Sequence, residues 1–310
     1  MIKTYFKTKN ATALKLIKEI RDGAWINGEN IIDEDLDFIE KLTGLERHDL
    51  ADILDPYELP RVERQDGNLI IFIRTPKDPQ GKSGEKFLHT ESLTIICNDK
   101  YFITLSPSRN NIVRSILDGD FPAATTQRSK LLIYILLRSS QLFTKEIRQL
   151  RRGLLKRQQY VRRVSDADII DLVEDEEILN QYVSALIPLN KVLETISHGK
   201  FLQLFDDDND LFEDMIISTR QSLDLCLTSI KSIKSLLESY QIIFTNRLNR
   251  RIQVLTLLTI LLTIPTVVGS IYGMNIKLPF GNDPLAFWYV MGFIVLLTVG
   301  FMFFYKKKLS

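Results

Sequence analysis

Short apolar runs dominate residues 1–120 and predict a mixed α/β domain. Residues 69–73 form a continuous apolar run, which is typical of a strand that is covered on both faces. Residues 92–97 and 101–105 predict two further strands, and the short polar turn between them favours a hairpin. Residues 25–27 predict another, shorter strand.

Two helices are predicted between these strands. A helix that starts near Asp33 carries Leu36, Ile39 and Leu42 at helical spacing. Residues 50–54 predict a second, short helix, which must end before the proline that follows.

From residue 126 onward the apolar positions have a helical period. Residues 126–164, 167–197 and 211–274 each predict a helical stretch far longer than is usual in a globular protein. Gly153 and Pro188 are the expected bends in the first two. The third contains no Pro or Gly over most of its length, so we expect an unbroken helix that approaches about 100 Å at about 1.5 Å per residue.

Two uncharged runs lie near the C-terminus. Residues 252–274 and 285–305 each supply the roughly 20 apolar residues that a helix needs to cross the hydrocarbon core of a membrane. Basic clusters flank them: Arg247, Arg250 and Arg251 before the first, and Lys306, Lys307 and Lys308 after the second. The positive-inside rule then places both termini in the cytoplasm and residues 275–283 outside. We therefore expect a multi-pass protein of the cell membrane.

Composition and motifs exclude several functional classes. The net charge of +1 gives no global attraction to nucleic acid. Cys97 and Cys226 are far apart in sequence, so no disulfide framework is implied. Residues 81–83 resemble the end of a phosphate-binding loop, but Pro76 stands where the first glycine of that loop is required. Residues 206–210 resemble part of a calcium loop, but Leu211 stands at its glycine position. No nucleophile stands near a base, so we do not expect an enzyme.

Hydroxylated residues form one stripe along the first apolar run. They are spaced three and four residues apart and therefore share one helix face: Thr256, Thr259, Thr263, Thr266 and Ser270. Asn249 and Ile252 extend the stripe toward the cytoplasm, and Asn275 lies near its outer end. Such residues can bond to their own backbone and help helices to pack, or several copies of the helix can line a pore. The stripe carries no charge, and neutral oxygens suit an ion that keeps its water, as magnesium does.

The tetrapeptide Tyr272-Gly273-Met274-Asn275, at the mouth of the first apolar run, resembles the signature of the CorA family of divalent-cation channels. Residues 25–27 resemble an early segment of that family. Residues 50–54, followed by residues 60–63, resemble its EDIL segment and the RPKVE-like run after it. Tyr240, Asn246 and Asn249 fall at the family's spacing before the membrane. The likeness covers essentially the whole chain.

The resemblance implies an α/β/α cytosolic funnel in a homopentamer, with five long stalk helices that continue as the pore inside an outer ring of second helices. Residues 1–120 then form the cytosolic α/β domain, residues 121–250 the long cytosolic helices with the start of the stalk, and residues 251–310 the transmembrane domain. The implied partners are other copies, the lipid bilayer and divalent cations, with no nucleic acid. Mg²⁺ is the implied transported and regulatory ion, and Co²⁺, Ni²⁺ and Zn²⁺ are carried in parts of the family.

The resemblance also suggests three sites. Gly273, Met274 and Asn275 form the selectivity filter, in which the amide oxygens of Asn275 accept hydrogen bonds from the water of a hydrated cation; the alternative is that Asn275 only caps the helix. Asp52 and Asp214 match two carboxylates that come from neighbouring subunits and share a regulatory divalent ion. The alternative for Asp214 is a solvated helix face. Asp55, Asp210 and Glu213 add negative potential nearby.

Ile252 and Leu255 form the expected gate, because rings of apolar side chains block ions by expelling water. Ordinary helix packing is the alternative. The expected function is passive magnesium influx driven by the membrane potential and closed by intracellular divalent cations. The outer loop, residues 276–283, has one Lys and lacks the Pro-Glu pair of many family members, so the ion preference is less defined than the fold. A zinc, cobalt or nickel transporter and a membrane-anchored scaffold are the alternatives; the stripe and Asn275 argue against the scaffold.

Overall fold

Seven strands form one mixed sheet in the computed structural model, which describes residues 1–9, 11, 13–77, 88–119, 124–159, 165–198, 206–275 and 285–309. The strands are β1 (Ile2–Phe6), β2 (Lys15–Ile17), β3 (Trp25–Glu29), β4 (Arg61–Gln65), β5 (Asn68–Pro76), β6 (Thr90–Cys97) and β7 (Phe102–Ser106). Their order across the sheet is β2-β1-β3-β7-β6-β5-β4. Only β3 and β7 run parallel, and every other neighbouring pair is antiparallel.

Strand β5, which lies next to the edge strand β4, is buried along its whole length, which confirms the interpretation of its apolar run. Ile70 and Phe72 belong to a core cluster that includes Leu36 and Ile39. Two long helices pack against β5 as well. The predicted hairpin is also confirmed, because β6 and β7 pair antiparallel on either side of the short polar turn.

Three short helices accompany the sheet. Helix α1 (Asp33–Thr43) starts where the sequence predicted and ends at Gly44, which adopts a left-handed conformation with φ of 73°. Helix α2 (Arg47–Leu50) continues as a 3₁₀ turn over Ala51–Leu54, so the helix predicted for residues 50–54 is present mainly as 3₁₀, with Leu50 as the last α-helical residue. Helix α3 (Asn111–Leu117) begins at Asn110, whose side chain accepts hydrogen bonds from the N–H groups of Ile112 and Val113.

Four elements were not predicted: β1, β2, β4 and α3. Strands β2 and β4 are the two edges of the sheet, and neither contains a fully buried residue. Strand β1 buries only Thr4. Apolar periodicity is weak in such strands because their hydrogen-bonded neighbours, rather than their own burial, hold them in place.

The remaining helices are long, as the periodicity predicted. They are α4 (Arg128–Gln159), α5 (Asp166–Ser197), α6 (Asp206–Tyr272) and α7 (Ala286–Leu309). Helix α6 has 67 residues and continues through Pro265. Residues 160–164 of the first predicted helix and the outer loop at residues 276–284 lie outside the described residues.

The chain separates into two compact units, Met1–Leu237 and Glu238–Ser310. In the first unit, hydroxyl pairs connect α4 to α6: Ser140 Oγ lies 3.0 Å from Thr219 Oγ1, and Thr144 Oγ1 lies 2.8 Å from Ser222 Oγ. In the second unit, the last part of α6 and helix α7 are mostly exposed and apolar. Among the described residues, one helix is long and apolar enough to cross a membrane, Asp208–Tyr272, and α7 contains a shorter apolar stretch, Phe287–Phe303.

Candidate functional site

The three predicted filter residues lie directly after the end of α6. The N–H of Gly273 donates to the carbonyl oxygen of Gly269 at 2.9 Å, and the N–H of Met274 donates to Ile271 at 3.3 Å. A Cβ atom at Gly273 would lie only 3.3 Å from the Gly269 oxygen, which is tighter than normal contact. Glycine therefore allows the chain to close the last turn tightly. Asn275, two residues further along the chain, is exposed.

All five hydroxylated residues of the predicted stripe are exposed. The four threonines donate their hydroxyl protons to the carbonyl oxygen four residues earlier: Thr256 to Ile252 at 2.9 Å, Thr259 to Leu255 at 2.9 Å, Thr263 to Thr259 at 2.8 Å and Thr266 to Leu262 at 2.8 Å. Each hydroxyl has one proton, which these threonines donate to the backbone, so toward any further partner the oxygen can act only as an acceptor. The stripe bonds to its own backbone and at the same time presents a row of acceptor oxygens.

Another row of the same helix segment is half-buried. Its members recur every three or four residues: Leu257, Ile260, Leu261, Ile264, Pro265 and Val268. Helix α7 also has one half-buried face, formed by Val290, Ile294, Thr298 and Phe301. The hydroxyl stripe shares no residue with the half-buried row, so it remains open.

The predicted gate residues are large, apolar and exposed at the start of the uncharged run. Ile252 is 51% exposed and Leu255 is 64% exposed, and Asn249 is exposed as well. Contiguous apolar surface of this kind marks a membrane or subunit contact.

Asp52 is ion-paired with an arginine in this structure. It lies in the 3₁₀ turn, and its Oδ2 is 2.7 Å from Nη2 of Arg61, the first residue of β4. Arg61 also pairs with Glu58 and Glu63 and lies over the ring of Phe72, 3.9 Å from its centroid. Three carboxylates share one guanidinium, so the cluster keeps an excess of negative charge, and the Asp52 side chain remains half exposed.

Asp214 lies on an exposed part of α6, next to exposed Glu213 and near Asp210. Over the described ranges of the chain, no ion pair or hydrogen bond joins Asp214 to Asp52. The same residues contain no group of three His, Cys, Asp or Glu side chains that could hold a metal ion. One chain alone therefore does not bring the two predicted ligands together.

The buried carboxyl group of Glu91, at the start of β6, was not singled out from the sequence. Ser108 Oγ donates to its Oε2 at 2.6 Å, while its Oε1 is buried without a partner among the described residues. Burial raises the pKa of Glu91 to about 7, and the charge of Glu29 adds to that effect; Lys77 and the hydrogen bonds from Ser108 and Asn111 oppose it. An isolated Glu before an apolar strand was the only available signal.

Comparison with known proteins decides the family. The model of the CorA-like Mg²⁺ transporter proteins matches residues 22–307. The chain belongs to this family. A curated relative, the cobalt/magnesium transport protein CorA of Methanocaldococcus jannaschii, is 23% identical over 291 residues, which cover 92% of this chain and 90% of the relative.

Solved structures agree with this assignment at the level of the fold. The complete CorA magnesium transporter of M. jannaschii superposes with a TM-score of 0.82 and 22% identity, covering 99% of this chain and 97% of that one. The full-length CmaX protein gives a TM-score of 0.76 and 16% identity, covering 97% and 96%. The cytoplasmic domain of ZntB from Vibrio parahaemolyticus gives 0.54 and 10% identity, covering 81% and 98%. The chain has the CorA funnel fold and, as a member of a transporter family with a long apolar helix, is a membrane protein.

Proposed function

We propose that this chain forms a pentameric magnesium channel that conducts passively down the membrane potential and closes when intracellular divalent cations bind. The main support for this proposal is the exposed stripe of hydroxyl oxygens on α6, a helix that is long and apolar enough to span a membrane. The stripe runs along the helix toward Asn275, which lies just after its end. We further propose the division into a cytosolic α/β domain to about residue 120, cytosolic helices to about residue 250 and a transmembrane domain whose termini face the cytoplasm.

The chemistry of the stripe fits a hydrated cation. Water bound to Mg²⁺ points its hydrogen atoms outward, and the ion releases that water reluctantly. The threonine oxygens, whose own protons are already donated to the backbone, can only accept hydrogen bonds from that water. One helix cannot enclose a pore, so the proposal needs several copies with the stripe turned inward. The lining then consists of Asn249, Ile252, Leu255, Thr256, Thr259, Thr263, Thr266 and Ser270.

Asn275 is the proposed selectivity ring. Five copies would place five amide oxygens around one axis, where they accept hydrogen bonds from the water shell of the ion. Gly273 allows the tight last turn, and Met274 packs without touching the ion. Ile252 and Leu255 form the proposed apolar gate at the other end of the stripe.

The proposed regulatory site joins Asp52 of one copy to Asp214 of its neighbour through a divalent cation. Two nearby carboxylates repel each other, and a cation between them turns the repulsion into a bridge. Because Arg61 already neutralises part of the charge around Asp52, it competes with the ion and weakens its binding. An ion that binds only the closed arrangement stabilises that arrangement by mass action.

Ion uptake into liposomes that contain the purified protein tests transport and selectivity together. We expect Mg²⁺ uptake above that of protein-free liposomes, and we expect Asn275→Ala to lose selectivity for Mg²⁺ over monovalent ions. Asn209→Ala, an exposed asparagine at the other end of α6, is the matched control. If Asn275→Ala kept the selectivity of the wild type, Asn275 would not be the filter. If no ion entered, the protein would be an anchor or scaffold instead.

Variants of the two aspartates test the regulatory site. Asp52→Asn and Asp214→Asn should each raise the internal Mg²⁺ concentration that half-inhibits transport, whereas Arg61→Gln should lower it. Asp224→Asn, which removes an exposed carboxylate on the same helix as Asp214, should leave the midpoint unchanged. Wild-type midpoints in both aspartate variants would place the sensor elsewhere, first at the acidic residues 171–177 and 206–210.

Cobalt is the favoured second ion, because the curated relative that covers most of the chain is named a cobalt/magnesium transport protein. Uptake of Co²⁺, Ni²⁺ and Zn²⁺ into the same liposomes, compared with uptake of Mg²⁺, ranks the ions. If any of these ions entered faster than Mg²⁺, that ion and not magnesium would be the main substrate.

A further inference from the structure

A basic cleft lies between α4 and α6 in the first unit and has no part in the proposed transport. Its volume is about 520 Å³, which lies within the range of small-molecule sites. Arg148, Arg151 and Arg152 line it from α4, and Ser218 and Gln221 line it from α6.

The α4 side of the cleft is strongly basic. Helix α4 carries nine Lys and Arg residues but only one acid, Glu146. Arg157, one turn beyond the cleft, pairs with Asp171 and Asp175 of α5. The three cleft arginines, by contrast, form no ion pair with any described residue, and their one polar contact is the bond from Arg152 Nε to the carbonyl oxygen of Arg148 at 3.2 Å.

The opposite wall supplies neutral donors. Thr144 gives its proton to the carbonyl oxygen of Ser140 at 2.9 Å, so Ser222, 2.8 Å away, is the donor in the Thr144–Ser222 pair. The Ser218 hydroxyl and the Gln221 amide therefore remain as the wall's donors. Among the described residues, no carboxylate lines the cleft. A cleft that offers donors and positive charge, with no competing anion, is chemically suited to an anion.

We propose that this cleft binds a polyphosphate anion, a ligand with two or more linked phosphoryl groups. Guanidinium groups match phosphate oxygens in a two-pronged geometry, and arginine is favoured over lysine where such geometry matters. Three arginines within two turns of helix suit a chain of phosphates better than one phosphate. Leu155 and Leu225 add apolar surface to the lining, which the ring of a nucleotide can contact.

The ligand would touch both α4 and α6. A ligand that bridges two helices stabilises the arrangement in which both contact it. Helix α6 also carries the hydroxyl stripe further along the chain, so binding in the cleft is a means of regulating transport by an intracellular phosphate compound. Binding itself does not depend on transport, so the two ideas can fail separately.

Titration calorimetry on the full-length protein in detergent, at low salt and without divalent cations, tests the site. Tripolyphosphate is the main probe, with ATP, inorganic phosphate and sulfate as comparisons. We expect saturable binding of tripolyphosphate and much weaker binding of phosphate and sulfate. Equal affinity for ATP and tripolyphosphate means that phosphates alone are recognised, and tighter binding of ATP means that the apolar lining contributes; both results support the proposal.

The double variant Arg151→Gln with Arg152→Gln should weaken tripolyphosphate binding by at least about tenfold, since bonds between ionised groups are among the strong ones. Arg138→Gln, an exposed arginine of α4 that bonds to Tyr134 and Gln141 outside the cleft, is the control and should bind as the wild type does. Thermal midpoints and oligomer size are recorded for each variant. Absence of saturable binding, or equal loss in the double variant and the control, would overturn the proposal. If the wild type bound no probe and the double variant dissociated, the cleft would instead hold an acidic surface of another copy.

Discussion

The buried carboxyl group of Glu91 should make the first unit less stable as the pH rises. Glu91 is 6% exposed, and burial raises its pKa in the folded protein from the ordinary 4.5 to about 7. Below pH 4.5 the group is protonated in both the folded and unfolded states, so it has no preference. Between these two values the unfolded state loses its proton first, and the folded state is progressively penalised.

The size of the effect follows from the shift. Each unit of pKa difference corresponds to about 1.4 kcal/mol, so the full penalty above pH 7 is about 3 kcal/mol. Glu91→Gln keeps the shape of the side chain and removes the charge. The variant should therefore match the wild type near pH 4.5 and exceed it by about 3 kcal/mol at pH 8, or on the order of 6 °C in thermal midpoint.

The assay is the thermal midpoint of the full-length protein in detergent at a fixed scan rate between pH 4.5 and 8. The difference between variant and wild type at each pH cancels the titration of all other groups. Glu40→Gln, which replaces an exposed glutamate at the end of α1, is the control measured in parallel. A flat curve for Glu91→Gln, or a variant that is less stable than the wild type at high pH, would show that the buried Glu91 carboxylate does not destabilise the fold.

Two further substitutions test the packing of the sheet and the proposed gate. Gly28→Ala should cost about 1–3 kcal/mol of unfolding free energy, because its Cβ would lie 2.4 Å from Ile31 Cδ1 and 2.8 Å from Leu105 Cδ2. Gly153→Ala, in the open on α4, should be neutral or stabilising by up to about 1 kcal/mol, and chemical denaturation that ranks the two in the opposite order would contradict this account. Leu255→Asn should produce a leak at high internal Mg²⁺ in electrical recordings, whereas Val254→Asn, equally exposed on another face, should not; an unchanged closed-state current in Leu255→Asn would remove that residue from the gate.

Elements with strong internal patterns could be predicted from the sequence. The apolar run of β5, the polar turn between β6 and β7 and the long periodic helices all carry their signal within one segment. The edge strands do not, since β4 is mostly charged and is held in place by its ladder with β5. The order of the strands, with the parallel pair β3–β7 in the centre, depends on contacts between distant segments that periodicity does not contain.

The candidate sites divide in the same way. The hydroxyl stripe could be predicted because its members lie on one helix at regular spacing, and the structure places them on one open face. The pairing of Asp52 with Arg61 was missed because it joins a 3₁₀ turn to the first residue of an edge strand. The basic cleft was missed for a related reason: its arginines follow one another on α4, but its neutral wall comes from α6, far away in sequence.

Passive magnesium conduction predicts uptake that is driven by the membrane potential alone. Liposomes that contain the protein are loaded with a Mg²⁺-sensitive dye, and a potassium gradient with valinomycin sets the interior negative. A divalent ion gains about 4.6 kcal/mol per 100 mV, which corresponds to about a 2,000-fold accumulation at equilibrium. We expect Mg²⁺ uptake without ATP that grows as the interior is made more negative. Uptake equal to that of protein-free liposomes, or uptake that does not respond to the potential, would contradict passive conduction.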